Sequence, residues 1–261
     1  MKAIAWVMTS LVACFLILPI VIIIPMAFSS SGYLQFPPPG FSLQWFEAFF
    51  TSPRWMRALG TSLTVAFWTV LLATTIGTLA AFALKRFRGP INMVATGYLA
   101  SPLMVPLIAF ALGLYLLYAN VGLNGSIAGL VLAHTVLALP YVIINVSAPL
   151  ANLPPANERA ARSLGAHPLR AFAGVTLPAI YPGVLAGALF AFLTSFDEVI
   201  VAVFVSGVRV NTLPVLMWES VRTDLDPTIA AIAVLLTALT IVSLALAQLV
   251  TRISARRSLG T

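Results

Sequence analysis

The amino-acid sequence predicts an all-α integral membrane protein with six transmembrane helices. Apolar residues make up 61% of its 261 residues and charged residues only 8%, with a mean hydropathy of +1.04. This composition excludes an ordinary soluble domain. The apolar residues fall into segments long enough to cross the membrane, which takes roughly 20 residues for ~30 Å of hydrocarbon. We therefore expect a single transmembrane domain over residues 1–261.

Six apolar segments are the predicted spans. The first is too long for the hydrophobic region of a signal peptide, and Pro19 and Pro25 are expected to kink it. The third contains Pro102 and Pro106, which are expected to break it. The predicted spans cover residues of about 4–28, 62–84, 93–118, 127–150, 180–205 and 228–250.

Two pairs of glycines predict close contacts between spans. Gly125 and Gly129 lie near the start of the fourth span, and Gly183 and Gly187 lie near the start of the fifth. Small residues four positions apart let helix backbones approach each other closely in a membrane.

Two polar segments, 29–60 and 207–227, carry interfacial aromatic residues. Residues 43–50 suit a short helix lying in the membrane interface, where aromatic rings prefer to sit. Trp45 and Trp218 could form an aromatic surface for a cationic substrate. Their interfacial placement alone also explains them.

The basic residues predict the orientation in the membrane. A net charge of +7 in a soluble protein would suggest nucleic acid, but these cations lie beside apolar segments, so the lipid bilayer is the expected partner and nucleic acid is not. With the N-terminus inside, the cytoplasmic segments hold ten of the 14 Lys and Arg residues. The opposite side holds four: Arg54, Arg57, Arg209 and Arg222. This bias predicts that both termini are cytoplasmic.

The longest polar interruption on the predicted cytoplasmic side is the loop 155–178. Ala160, Ala161 and Leu164 share one helix face. Gly165 suits a helix C-terminal cap, and Pro168 suits the first turn of a second short helix. Leu177 and Pro178 are expected to close the unit. A rigid helix–glycine–helix between two spans predicts a docking element, whereas a basic loop that only obeys the topology rule is the simpler alternative.

This loop resembles the cytoplasmic signature of ABC importer permeases: Glu-Ala-Ala, three residues, Gly, nine residues, Ile, one residue and Leu-Pro. Five positions match at the right spacing: Ala160, Ala161, Gly165, Leu177 and Pro178. Val175 stands in for Ile, and Arg159 replaces the leading Glu, with Glu158 one place earlier. In that family the segment is a coupling helix that docks into a groove of the ATP-hydrolysing subunit. The resemblance implies the MetI-like fold of type I importer permeases.

The resemblance also implies the partners of the chain. They are a second, related permease subunit, two ATPase subunits and a periplasmic substrate-binding protein. The resemblance also implies that the permease lies in the bacterial inner membrane. The chain itself has no Gly-x-x-x-x-Gly-Lys-Ser/Thr segment, so ATP is expected on the partner subunits, with no cofactor here. We find no zinc motif and no nucleophile–base set, so neither a metal site nor an enzymatic activity is expected.

The adjacent acids Asp197 and Glu198 lie in the predicted fifth span. A carboxylate inside the membrane is costly unless it faces water or a partner, so one acid is expected to face a substrate path and the other a helix interface. Alternatively, the span ends early and both acids lie among lipid headgroups. His134, in the fourth span, is expected to form a hydrogen bond with backbone or with a neighbouring helix rather than with a substrate.

Residues 129–251 resemble spermidine/putrescine permeases. The resemblance is carried by segments 195–200, 212–218 and 226–231, and by Ala133-His134-Thr135 and Leu139-Pro140-Tyr141. In that group an acidic residue corresponding to Asp197 is implicated in the substrate path. Some members also carry an acid where this chain has Leu103, so a smaller amine, an amino acid or an aminophosphonate are alternative substrates.

Two other classes remain open from the residues alone. A secondary transporter could use Asp197 and Glu198 as a proton relay driven by an ion gradient. It would work alone, whereas an importer subunit needs its ATPase. A membrane-embedded enzyme is the other rival, but it requires a catalytic set that we do not find.

Overall fold

The computed structural model describes residues 2–87, 89–207, 210–223 and 225–259. Its regular structure in these ranges is helical, and the longest connection between described helices is the irregular segment 28–43. In chain order the α-helices are α1 Lys2–Ala27, α2 Gln44–Thr51, α3 Pro53–Leu84, α4 Pro90–Ala100, α5 Leu107–Val121, α6 Ile127–Ala151, α7 Pro155–Ser163, α8 Pro168–Ala171, α9 Leu177–Phe196, α10 Ile200–Val205, α11 Leu213–Thr223 and α12 Thr228–Leu259.

Within the described residues, five helical segments are long and apolar enough to cross a membrane. They are Ile4–Ala27, Pro53–Leu84, Ile127–Ala151, Pro168–Phe196 and Thr228–Ala245. The third predicted span is two helical pieces, Pro90–Leu103 and Leu107–Val121, bent by 93°. Pro106 cannot donate a helical hydrogen bond, and it disfavours helix at the residue before it, which places the bend at Met104 and Val105. Counted as one span, this pair gives six, and the predicted all-α fold class is confirmed.

The chain divides into two compact units. The first comprises residues 1–59 and 215–242. Its core contains Ala27, Ala230 and Ala231, with Trp45 and Phe46 packed against them. Most described residues of α1 are exposed, so a long apolar face of this helix is not covered by the described residues of the first unit. That the chain is one permease domain stays a prediction.

The second unit comprises residues 60–214 and 243–261. Its core is built on α6, which packs mainly against α9. Buried side chains at helical spacing on α6, including Val142, Val146 and Leu150, meet Ile180 of α9 and the end of α3. Because α6 is buried over most of its length, it is the central helix of this unit.

Glycines on α9 allow its close approach to α6. A Cβ atom on Gly183 would lie 2.5 Å from the carbonyl oxygen of Asn145, and one on Gly187 would lie 3.1 Å from Cα of Val142. The predicted small-residue contact at these two positions is confirmed. Gly129 differs from the prediction, because its close neighbour is the carbonyl of Leu123 in the preceding turn rather than another span.

Three features differ from the sequence-based expectations. The fifth span is continuous from Pro168 to Phe196, so Leu177 and Pro178 begin α9 instead of closing a separate unit. After Phe196 the helix is interrupted before α10, and the segment 207–227 contains an unexpected helix, α11. Arg88 and Arg209, which entered the topology prediction, lie outside the described residues, as do the side chains of Arg252, Arg256 and Arg257.

Candidate functional site

The predicted docking element begins with α7. Pro155 occupies the first helical position, where its missing N–H costs nothing, Glu158 lies in the first turn and Arg162 in the last. These charges complement the helix dipole, which favours acids at the N-terminus and bases at the C-terminus. The local sequence therefore favours a helix of this length without support from a buried face.

Gly165 ends α7 in the left-handed conformation, with φ of +88°. Its N–H donates to the carbonyl of Arg162 at 3.0 Å, and the N–H of Ala166 donates to the carbonyl of Ala161 at 3.2 Å. This pair of bonds is the Schellman motif, which satisfies carbonyl groups left free at a helix end. The prediction that Gly165 caps the helix is confirmed.

The second part of the loop is joined directly to the membrane-spanning helices. Pro168 begins α8, and the chain continues through a wide helical turn at Phe172–Thr176 into α9. The ring of Phe172 meets the ring of Phe82 on α3 edge to face, with centroids 5.2 Å apart. A displacement of the loop would therefore be passed to both α9 and α3.

Apolar and basic side chains are exposed together on this loop. Leu164 is 90% exposed and Leu169 73% exposed. Ala160 is also exposed, and Ala161 half-buried, on the face predicted for docking. The two exposed leucines at the tip of this basic loop leave apolar surface that water solvates poorly.

Glu158 and Arg159 line one cavity but differ in exposure. Glu158 is half-buried and lines a cavity together with Lys85 and Arg86 at the end of α3. Arg159 is exposed. The two residues are neighbours in sequence but point about 100° apart on a helix.

Asp197 and Glu198 lie at the interruption between α9 and α10. Asp197 is exposed, whereas Glu198 is 8% exposed. The N–H of Val201 donates to Oε1 of Glu198 at 2.9 Å, and the N–H of Ala202 donates to Oε2 at 2.8 Å. Both carboxylate oxygens are thereby used to satisfy the free N–H groups at the start of α10.

His134 of α6 reaches the same place. Its Nδ1 lies 3.0 Å from Oγ of Ser195, and its Nε2 lies 3.7 Å from Oε2 of Glu198. All three side chains are buried, and we call them the His134 cluster. The cluster joins α6, α9 and the start of α10, so the expectation that His134 bonds a neighbouring helix is confirmed.

Trp45 and Trp218, proposed as a cation surface, have other contacts. The indole N–H of Trp45 donates to the carbonyl of Ser29 at 2.9 Å, and its ring packs against the alanine core of the first unit. Trp218 is 49% exposed, and the guanidinium of Arg222 lies 5.9 Å from its ring centroid. One ring is therefore anchored, and the other already has a cation beside it.

Sequence reasoning missed the partners of these residues. The link between His134 and Ser195 joins positions 61 apart, and Lys85 donates to the carbonyls of Leu150 and Leu153 at the end of α6, each at 2.7 Å. A polar residue inside an apolar segment is a signal that a partner exists. Its identity depends on how the helices pack.

Residues 73–258 match the family of binding-protein-dependent transport system inner membrane components. The match includes the loop around Gly165 and the His134 cluster, and it covers more than half of the chain. The chain belongs to this family. It is an inner-membrane permease subunit of an ATP-binding cassette importer, and it is a transport protein rather than an enzyme.

Two relatives cover most of the permease. The spermidine/putrescine transport system permease protein PotC of Haemophilus influenzae is 34% identical over 241 residues, covering 92% of this permease and 93% of PotC. The putrescine transport system permease protein PotI of Escherichia coli strain K12 is 34% identical over 231 residues, covering 85% of this permease and 81% of PotI. The predicted resemblance to polyamine permeases is confirmed.

Solved structures support the fold. A chain of a bacterial ABC transporter involved in the import of the acidic polysaccharide alginate superposes with a TM-score of 0.75 at 16% identity, covering 95% of each chain. A chain of an amino acid ABC transporter with histidines gives a TM-score of 0.56 at 21% identity, covering 81% of the permease and 98% of that chain. At these identities the likeness concerns the fold, which is the predicted MetI-like importer architecture.

Proposed function

We propose that the permease forms half of the translocation path for a small polar solute that bears an amine, with a polyamine such as putrescine or spermidine as the first choice. The names of PotC and PotI support this choice. The observation that carries the proposal is the exposed carboxylate of Asp197 at the end of α9. An exposed carboxylate beside a membrane-spanning helix attracts a cation and does not need to exchange an internal partner first.

Glu198 has a different role in this proposal. Its two oxygens are bonded to the start of α10 and it is buried. Binding of a substrate amine there would break two charge-assisted hydrogen bonds. We therefore assign substrate contact to Asp197, and we assign to Glu198 the positioning of the interruption that presents Asp197.

The proposed substrate is short. Leu103, at the position where spermidine-type members can carry an acid, is 45% exposed and offers no charge to a third amine. A diamine with one amine at Asp197 matches this single available carboxylate better than a longer triamine does. An amino acid or an aminophosphonate remains the alternative, because each also bears an amine.

The proposed assembly contains a second permease subunit, two ATPase subunits that hold ATP, and a periplasmic substrate-binding protein. Both termini are placed in the cytoplasm, so that the loop with Leu164 faces the ATPase subunits. Segments 29–60 and 207–227, with Trp45 and Trp218, then face the binding protein. The exposed length of α1 leaves an apolar surface for the partner permease or lipid.

The proposed coupling works as a rigid body. ATP binding closes the ATPase pair, α7 follows, and the direct connection of the loop to α9 and α3 moves the spans between inward and outward states. The residues assigned to this coupling are Glu158, Arg159, Ala160, Ala161, Leu164, Gly165, Leu177 and Pro178.

The test is ATP-driven uptake of labelled putrescine by the importer reconstituted in liposomes with its binding protein. Excess unlabelled putrescine, spermidine, a γ-amino acid and an aminophosphonate are compared as competitors. Asp197→Asn is compared with Asp197→Glu, which keeps the charge. We expect the Asn variant to raise KM roughly tenfold or more, as expected when a bond to a charged group is lost, and the Glu variant to stay much closer to wild type.

Two outcomes would overturn the proposal. Unchanged KM in the Asn variant would remove Asp197 from the path. Uptake that continues without ATP and follows an ion gradient would instead indicate a secondary carrier.

A further inference from the structure

A cavity of about 210 Å³ lies at the start of α7, beside the ends of α3 and α6. Its volume is far above the ~10–15 Å³ that one water molecule needs. Its charged lining residues are four cations and one carboxylate: Lys85, Arg86, Arg159, Arg162 and Glu158. The excess of positive charge makes it a candidate site for an anion.

The four cations differ in the contacts that they already make within the permease. Lys85 is bonded to the two carbonyls at the end of α6, and the guanidinium of Arg86 lies 4.7 Å from the ring centroid of Phe82. Arg159 and Arg162 are exposed and form no ion pair with another described residue. Glu158 can balance only one of them, so a positive surplus is left.

Thr176 adds an independent indication of a ligand. Its side chain is fully buried, it lies on the wall of this cavity, and its hydroxyl has no hydrogen-bond partner among the described residues. A buried hydroxyl without a partner is unfavourable. An anionic oxygen in the cavity would accept a hydrogen bond from this hydroxyl.

We propose that this cavity binds the phosphate group of an anionic phospholipid. The walls of the cavity are the ends of two membrane-spanning helices, α3 and α6. Basic pockets between the ends of transmembrane helices recognise lipid headgroups. Phe82 and Leu150 supply an apolar wall beside the cations, as a headgroup joined to acyl chains requires. A free phosphate shares the charge but not the apolar part.

The experiment measures lipid retention by the importer purified with its natural partners, using native mass spectrometry after equilibration with vesicles of phosphatidylglycerol and phosphatidylcholine. The test variant is Arg86→Gln combined with Arg162→Gln. The control is Arg170→Gln, a basic residue of the same loop that does not line this cavity. The double variant loses two protein cations that face the headgroup, so phosphatidylglycerol binding should weaken roughly tenfold or more. The control should bind like wild type.

Thr176→Val tests whether the Thr176 hydroxyl contributes to lipid binding, because it removes the oxygen and nearly keeps the shape of the side chain. The proposal expects weaker phosphatidylglycerol binding. Unchanged binding in both test variants would overturn it. Displacement of the lipid by an equal amount of inorganic phosphate would reject a phospholipid as the source. Loss of the ATPase subunit with lipid binding unchanged would assign these charges to the protein partner instead.

Discussion

The chain interrupts its helices on both sides of the fifth span, and the two interruptions are built differently. At Gly165 the backbone turns through a left-handed residue and closes with two main-chain hydrogen bonds. At Asp197–Val199 the break is closed by a side chain, because the buried carboxylate of Glu198 caps α10. His134, which is bonded to Ser195, lies 3.7 Å from that carboxylate.

The two breaks differ in the interactions that hold them. The Gly165 turn depends on backbone conformation and main-chain hydrogen bonds, and no neighbouring atom lies within 4 Å of the position of a Cβ atom there. The Glu198 break depends on the charge and burial of one carboxylate. In the function proposed above, the first break serves coupling to ATP and the second responds to substrate.

Removing the carboxylate at the second break should have the largest effect on stability. Glu198→Ala leaves the N–H groups of Val201 and Ala202 without their partner, and unsatisfied buried groups cost about 1–3 kcal/mol in unfolding free energy. Thermal unfolding of the purified permease measures it, with Glu47→Ala, an exposed acid of α2, as the control. Equal losses in the two variants would show that the cap does not stabilise the break.

A β-branched residue at the first break should come next. Gly165→Val places a side chain at positive φ, where an L-residue costs about 1–2 kcal/mol, although the space is open. We expect α7 to lose its defined end, and ATP-driven uptake to fall strongly while membrane insertion is retained. Gly165→Asn, which tolerates this conformation, should keep most activity. Full uptake by the Val variant would contradict the role of the turn in coupling.

A smaller loss is expected at the edge of the His134 cluster. Ser195→Ala removes the hydroxyl 3.0 Å from His134 and should lower the unfolding free energy by about 0.5–1.5 kcal/mol. Because Glu198 keeps its bonds to α10, uptake should decrease less than it does in Glu198→Ala. A larger effect of Ser195→Ala than of Glu198→Ala would reverse our assignment of the central residue.

The smallest stability effect is expected at Asp197. Asp197→Asn changes an exposed side chain, and such substitutions usually stay within about 0.5 kcal/mol. Unfolding and uptake should be measured on the same preparation of the Asn variant. We expect its unfolding free energy to stay near the wild-type value and its KM for uptake to rise. If stability falls as far as in Glu198→Ala, the two neighbours share one structural role and the contrast between them fails.

Much of the fold follows from sequence. Apolar length predicts the spans, Pro102 and Pro106 predict the bend between α4 and α5, and Gly165 predicts the end of α7. Each of these depends on local covalent geometry or on the thickness of the bilayer, which act alike in any fold. The helix α11 was not predicted, because its 11 residues are too few for a span and its segment was interpreted as an interfacial stretch.

The candidate site was only partly predictable. The signature loop and the pair Asp197–Glu198 could be selected because polar residues in or between apolar spans are costly and therefore informative. Which acid is buried could not be read from their adjacency. That depends on His134, far away in sequence, and on the place where α9 stops.

By itself the sequence determined a helical membrane chain, its breaks at proline and glycine, and a docking loop of recognisable spacing, since local backbone preference and hydrophobicity are properties of short segments. Only the tertiary structure decided that Glu198 caps α10, that Asp197 stays exposed, and that Lys85 closes the end of α6. Burial and pairing of charges depend on which helices lie side by side, and this is a property of the packed bundle as a whole.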